Sequence, residues 1–488
     1  GTRNLAVGAF ALDANTTAYD NTAVGYEALT ANTTGITVTA VGSRALDANT
    51  TGDANVAVGH NALGGNTTAG QNTAVGTYAM DAANTGEYNC AFGRSSLTDN
   101  TSGDYNTGYG AYSMYANTTG AKNTAVGGNA MFDNTTGSYC TAVGHEALAN
   151  NTTADYNTAF GRYALYANTT GDVNTAVGAH ALDANTTGSG HVAIGNNALG
   201  SNTTGTECTA VGRGALFTNS TGNYNVSMGL SSLYYNTTGS NNVAVGYACL
   251  NANTTASNNT AVGHYALAAN TTGSDNICIG ANAGDALTTS SSVVAIGKDA
   301  CGQGTDNCGQ SVCIGGDAGA QMNETKNTLI GFYCGKDLDS GEGNTGVGYY
   351  ALSSDQNSTV TGQNNTCIGR SAGTQISSGQ KNTLIGYLAG NQIANGASNV
   401  CIGPEAGGGG LIVGGDNILY IARNNTSAGN AATWIYGNSS GACYQGNNST
   451  TWSQTSDIRL KKNITNSTKG LAEINQLRIT NFEYRTED

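Results

Sequence analysis

Residues 174–190 read NTAVGAHALDANTTGSG, and this stretch recurs with small changes along most of the chain. If the glycine of NTAVG is taken as an anchor, it falls at position 8 and then every 17 residues to position 280. Seven further anchors follow, with short insertions and one deletion between them, at 297, 315, 331, 348, 369, 386 and 403. The 24 resulting units predict a solenoid in which each unit forms one coil.

The residues before each anchor have the pattern of a β-strand of four residues. Position −1, directly before the anchor, is large in all 24 units and is usually Val or Ile. Position −2 is mostly Ala, with Cys278, Cys313, Cys367 and Cys401 in later units. Position −3 is β-branched in nearly every unit, which favours a strand. Because neither face carries charge, we expect one face to fill the coil's own core and the Ala face to contact another chain.

The rest of the unit predicts turns and a second packing segment. Asn occupies position −4 in 18 of the 24 units, and stacked coils would align these amides in a ladder. The segment from +1 to +6 has Leu or Met at +4 in the first sixteen units and predicts a second strand or a single helical turn. The NTTG segment predicts a turn whose glycine accepts an unusual φ. From Gly284 onward position +4 is Gly or Cys, except for Leu352, so the cross-section is expected to narrow or change shape near residue 280.

These patterns divide the chain into four segments. Residues 1–274 hold the regular repeats, 275–410 the variant repeats, 411–455 a neck or transition segment, and 456–488 a different sequence. The predicted fold class is all-β, a β-roll or β-helix solenoid. Because a coil of 17 residues encloses few side chains, we expect a parallel homotrimeric fibre in which the chains cover one another.

Composition excludes several classes of function. The 488 residues include 71 Gly but only 7 Phe and 2 Trp, and the formal net charge is −14. This charge leaves no basic groove for nucleic acid. No apolar run is long enough to insert in a membrane, and no metal or cofactor motif is present. The twelve cysteines lack a C-x-x-C pair and mostly replace Ala, Thr or Asn, which favours buried thiols over disulfides.

The Asn at position +7 begins an N-x-[ST] sequon in most regular units, as at Asn15, Asn32, Asn49 and Asn66. Two interpretations stay open here. The sequons would carry a row of glycans if a eukaryotic host made the protein. Otherwise they are turn sequences. An ice-binding Thr row is disfavoured by the Leu-bearing unit, and a glycosidase by the absence of recurring paired carboxylates.

The repeat resembles the coils in the head of trimeric autotransporter adhesins and similar repeats in phage fibres. NVAVG at residues 55–59 and HVAIG at residues 191–195 carry this resemblance, which covers roughly residues 4–410. It implies a trimeric β-roll.

The carboxyl-terminal segment resembles a second family. SDIRLKKNI at residues 456–464 and GLAEINQLRITNFEYR at residues 470–485 resemble the intramolecular chaperone domain of phage tailspikes and fibres, first known from endosialidases. The resemblance implies a domain that trimerises, aligns three chains and then cleaves itself off at the Ser-Asp junction. Since the family domain is longer, only its beginning is expected in this sequence.

The same resemblance assigns roles to four residues. Ser456 would be the nucleophile of self-cleavage, activated by Lys461, while Asp457 and Arg459 are motif positions; a Lys with a lowered pKa can act as the base for a Ser hydroxyl. The alternative is that Arg459, Lys461 and Lys462 only solvate the start of a helix.

Together these observations predict the shaft of a viral tail fibre or spike on the virion surface, or an extracellular fibre. The expected partners are two further copies of the chain and a host cell-surface receptor, with glycans as one candidate class. No cofactor and no activity on an external substrate are expected. The alternative is a bacterial trimeric surface adhesin.

Overall fold

A computed structural model describes residues 1–304, 307–354, 359–408, 415–423 and 433–445. These residues form an all-β solenoid of 24 coils with a period of about 17 residues, as predicted. Each coil contributes one strand of three residues, at positions −3 to −1, which is one residue shorter than predicted because the side chain of the residue at −4 closes the coil instead of extending the strand. The strands, in chain order, are β1 Leu5–Val7, β2 Thr22–Val24, β3 Thr39–Val41, β4 Val56–Val58, β5 Thr73–Val75, β6 Cys90–Phe92, β7 Thr107–Tyr109, β8 Thr124–Val126, β9 Thr141–Val143, β10 Thr158–Phe160, β11 Thr175–Val177, β12 Val192–Ile194, β13 Thr209–Val211, β14 Val226–Met228, β15 Val243–Val245, β16 Thr260–Val262, β17 Ile277–Ile279, β18 Val294–Ile296, β19 Val312–Ile314, β20 Thr328–Ile330, β21 Thr345–Val347, β22 Thr366–Ile368, β23 Thr383–Ile385 and β24 Val400–Ile402.

The strands of successive coils pair in parallel and in register. Ala125 in β8 lies opposite Ala142 in β9, and this pattern continues along the shaft. The longer unit after β21 keeps the register, because Thr345 still lies opposite Thr366. Three further strands follow: β25 Leu419–Ala422 extends the parallel sheet, while β26 Thr433–Gly437 and β27 Cys443–Gln445 add to it antiparallel.

The interior of each coil is lined by small residues around one large side chain. The Ala at −2, the Ala at +3 and the Leu or Met at +4 are completely buried within the single chain, as shown by Ala142, Ala147 and Leu148. The prediction that the Ala face contacts another chain is therefore wrong. A thin coil accommodates one large side chain per layer, so only methyl-sized groups fit beside it. The β-branched residues at −3 and −1 point outward instead; Val126, for example, is 36% exposed.

The segment from +1 to +6 is neither a strand nor a helix in the described coils; it is a turn with left-handed residues. Glu146 at +2 and Leu148 at +4 have φ values of 55° and 54°. The anchor Gly144 has φ 137°, and a Cβ there would lie 2.6 Å from the carbonyl oxygen of Gly161. The NTTG glycine was expected to need an unusual φ, but Gly137 has none. Glycine is favoured there because a Cβ would lie close to the carbonyl oxygen of Ala154, although Ala154 itself shows that Ala is tolerated at the equivalent position.

Two rows of Asn side chains close the coils and link them to one another. In the row at −4, Asn123 donates from Nδ2 to the carbonyl of Gly137 (2.8 Å) and accepts the backbone N–H of Cys140 (2.9 Å). The predicted row at −4 is thus present, although its amides bond mainly to the backbone. Hydrogen bonds of this kind satisfy backbone groups that would otherwise be buried without partners.

The second row, at +7, is a continuous amide ladder. Asn134 donates from Nδ2 to Oδ1 of Asn117 (2.7 Å) and to the carbonyl of Gly137 (3.0 Å), and its Oδ1 accepts from Asn151 (2.7 Å). The ladder is interrupted after Asn66, because the next Asn comes one position later in its unit. It ends at Asn270, where the variant coils begin.

The core changes composition near residue 280 without a break in the sheet. Gly284 replaces the Leu at +4, and Leu287 replaces the Asn at +7. A Cβ at Gly284 would lie 3.1 Å from Cδ1 of Leu287, so the large side chain now enters from the opposite side of the coil. The interior remains filled, with Leu287 completely buried beside Gly284.

Candidate functional site

The predicted self-cleavage residues Ser456, Asp457, Arg459 and Lys461 lie outside the described residues. Their roles stay predictions.

The sequon residues lie in the +7 row, and Asn32, Asn49 and Asn66 belong to its amide ladder. Asn32, Asn49 and Asn66 are completely buried, and each donates from Nδ2 to the carbonyl three residues later. Asn15, in the first coil, is partly exposed. A glycan would have to occupy the same buried nitrogen, so the folded coil disfavours glycosylation and favours the interpretation as a turn sequence. Glycosylation of these residues stays a prediction.

One residue of the −4 row is a histidine. His191 replaces Asn and is completely buried; its Nε2 lies 2.6 Å from the carbonyl oxygen of Gly205, and its Nδ1 accepts the backbone N–H of Cys208 at 3.2 Å. Both contacts are satisfied when the proton resides on Nε2. Burial lowers the pKa of His191, which keeps the ring neutral.

The cysteines are mostly buried thiols in the described coils, as predicted, with one exception. Cys301 and Cys313 form a disulfide with a Cα–Cα distance of 6.4 Å. The other ten are free, and burial raises the pKa of Cys208 to about 11. The thiol of Cys208 is therefore protonated and unreactive at neutral pH.

Two surfaces of the shaft are open to partners. The first, which we call the strand face, consists of the outward residues at −3 and −1 of β1 to β24, and no charged residue occupies either row. Large apolar members include Tyr109, 60% exposed, and Phe160, 56% exposed.

The second surface, which we call the corner groove, lies along positions +1 to +6. Three cavities occur along it. The first cavity (≈ 380 Å³) is lined by residues that include Phe132, Ala149 and Tyr166. The second (≈ 410 Å³) includes Arg213, Phe217 and Tyr234 in its lining. The third (≈ 390 Å³) includes Lys336, Tyr350 and Ser371. This groove was not predicted from the sequence, although Tyr and Phe recur at +5.

The described residues contain no cluster of three or more His, Cys, Asp or Glu side chains that could hold a metal ion. The same described part of the chain has no helix of sufficient length and apolarity to span a bilayer.

Comparison with known families identifies the end of the chain. Residues 456–488 match the family described as Chaperone of endosialidase, which confirms the resemblance drawn from SDIRLKKNI. A domain of this family implies trimerisation. No curated protein matches the chain.

Proposed function

We propose, from the premise that residues 456–488 begin a chaperone domain of the endosialidase type, that the chain is one of three in the shaft of a viral tail fibre or spike. The shaft serves attachment of the virion to a host cell. The observation that carries the proposal is the combination of this match with a β-solenoid of 24 coils. The two parts correspond to a fibre and the device that assembles it.

The three chains pack through the strand face. The strand face is uncharged over all 24 strands. Apolar patches on typical monomeric proteins cover only a few hundred Å², and larger exposed patches mark interaction sites. A parallel, in-register trimer would place like residues opposite one another around a common axis. This arrangement replaces the predicted contact through Ala, since Ala125 and its equivalents are already buried inside the coil.

The chaperone domain solves a problem that the repeat itself creates. Because every coil resembles its neighbours, three chains can pair in many wrong registers that differ little in energy. A trimeric domain at one end aligns the chains before the coils form and lowers the entropic cost of bringing them together. Removal of the domain afterwards would leave the fibre kinetically trapped.

The trimer is tested by the mass of the native assembly in solution. Light scattering should give three times the mass of the denatured chain from the same preparation. Val143→Glu places a charge in the strand face and should prevent trimer formation, because an unpaired carboxylate is costly to bury. Thr153→Glu, at an exposed position elsewhere in the same unit, is the matched control and should leave the trimer intact. A parent protein that is monomeric as its source assembles it would refute the trimer.

Attachment is tested separately by competition. Purified shaft protein added to host cells should reduce adsorption of the particle that carries it. Unchanged adsorption at saturating shaft protein would remove attachment from the proposal and leave a structural shaft.

A further inference from the structure

We propose that the cavity between Phe132 and Tyr166 in the corner groove binds a neutral saccharide. The proposal deepens the proposed function and rests on it, since it names the site and the ligand class through which the shaft would hold a host surface. Its physical basis is independent of that role, because it depends only on the walls, floor and rim of the cavity.

The walls of the cavity are two aromatic side chains at the same position of alternate coils. Phe132 and Tyr166 both occupy +5, and the intervening coil has Ala149 there, which is only 4% exposed and forms the floor. Phe132 stacks on Tyr115 of the preceding coil with a centroid distance of 5.2 Å and an interplanar angle of 8°. One face of the Phe132 ring is thus covered by Tyr115, and the other is turned along the shaft towards the space above Ala149.

The spacing of the coils sets the width of this space. Coils follow one another at about 4.8 Å, so side chains two coils apart are separated by roughly 9.6 Å. Two van der Waals contacts between carbon atoms take about 7 to 8 Å of that distance. About 2 Å therefore remains for the thickness of the ligand ring itself, between its two layers of ring atoms. A flat ring has a single layer of atoms and would leave this space unfilled, whereas a puckered ring such as a pyranose fills it. The cavity volume of ≈ 380 Å³ is within the range of small-molecule sites.

The rim of the cavity has the polarity that sugar hydroxyl groups require. Glu146 provides carboxylate oxygens that accept hydrogen bonds, while Asn129 and Asn150 provide amides that both donate and accept. Apolar walls with a few polar groups at the edge are typical of ligand sites. None of the residues that line this cavity is Lys or Arg. Glu146 would repel a carboxylate or sulfate, so the ligand is a neutral saccharide and not an acidic one.

The cavity is compatible with the trimer. Its residues occupy positions +2 to +6 of their units, whereas the strand face uses positions −3 and −1. Assembly through the strand face therefore leaves the cavity accessible, once on each of the three chains.

The experiment measures saccharide binding to the assembled shaft. The probes are neutral tetrasaccharides of glucose and of N-acetylglucosamine, with a sialylated tetrasaccharide for comparison, and the dissociation constant is determined by calorimetry. Ala149→Phe introduces at +5 the residue type already present in the preceding coil, so the coil tolerates it while the space between the rings is filled. We expect at least one neutral probe to bind the parent and Ala149→Phe to weaken that binding by about tenfold or more. Tyr166→Ala should weaken it similarly by removing one wall.

The matched control is Ala268→Phe, which makes the same change at +5 of a coil outside the cavity and should leave the dissociation constant unchanged. Equal binding by the parent and by Ala149→Phe would overturn the proposed site, as would binding of none of the neutral probes or tighter binding of the sialylated one. Adsorption of the particle to host cells distinguishes failure of this saccharide site from failure of attachment by the shaft. If shaft protein still competes for host cells but Ala149→Phe competes equally well, attachment stands and this site is wrong.

Discussion

Replacing Asn134 by Ala tests whether the +7 ladder stabilises the shaft. The side chain of Asn134 takes part in three hydrogen bonds: two that its Nδ2 donates, to Asn117 and to the carbonyl of Gly137, and one that its Oδ1 accepts from Asn151. All three asparagines are completely buried. Substitution removes the three bonds and leaves two buried amide groups on neighbouring coils short of a partner.

The magnitude follows from those groups. A buried polar group without its partner costs about 1 to 3 kcal/mol. The loss of three hydrogen bonds should therefore lower the local free energy of unfolding by about 3 kcal/mol. Since 1.4 kcal/mol corresponds to a factor of ten, this equals an increase of about a hundredfold in local opening. Backbone amide hydrogen exchange, followed over residues 117–151 in the full chain, measures that opening directly.

Asn15→Ala provides an internal control. Within the part of the chain that the structure describes, Asn15 Oδ1 accepts no hydrogen bond, and its Nδ2 makes only a 3.4 Å contact with the carbonyl of Ala18. Its replacement should cost less than about 1 kcal/mol. If the amides of residues 117–151 exchange no faster in Asn134→Ala than in Asn15→Ala, the ladder is not a source of stability.

Three further outcomes are expected. Gly144→Ala should destabilise its coil by about 3 kcal/mol or more, because the residue has φ 137° and its Cβ would meet the carbonyl of Gly161; an unchanged melting temperature of the variant would contradict this. For His191, whose pKa is lowered in the folded chain, stability is fully present above the ordinary pKa of about 6.5 and is lost as the pH falls towards the folded value. Local opening around Cys208, taken from amide exchange rates corrected for the intrinsic rate at each pH, should increase with acidification in the parent but not in His191→Asn, and parallel pH profiles of this opening would exclude His191 as the cause. In protein made with the complete chaperone domain, Ser456→Ala should trimerise but keep its tail, and Lys461→Ala should do the same or cleave slowly; gel electrophoresis that shows parental cleavage of Ser456→Ala would disprove the role of the Ser hydroxyl as nucleophile.

The period, the strand before each anchor and the parallel stacking could be predicted from the sequence because they depend on spacing alone. The orientation of the strand could not. Large residues at −1 and small ones at −2 suggest that the large side chains point inward, as in thicker domains. In this thin coil Leu148 and its equivalents at +4 already occupy the interior, so Ala142 points inward and Val143 outward.

The turns explain the remaining differences. The NTTG glycine and the Asn at +7 look like local turn signals in the sequence, but their roles involve neighbouring coils: Gly137 makes room for the carbonyl of Ala154, and Asn134 bonds to Asn117 and Asn151. The cavity beside Ala149 depends on left-handed residues at +2 and +4, which bring the side chains at +2 and +5 to the same edge of the coil. No residue pattern in the sequence predicts that geometry.

The constant register of the two Asn rows, at −4 and +7, has a genetic consequence. Deletion or duplication of one whole unit leaves every amide opposite an equivalent partner, and even the longer unit after β21 keeps Asn365 bonded to Asn344 in the −4 row. Recombination between the near-identical repeats of the coding sequence would therefore produce shafts that differ by whole coils, in steps of about 4.8 Å. The length of the shaft becomes a trait that replication errors can adjust without disturbing the fold.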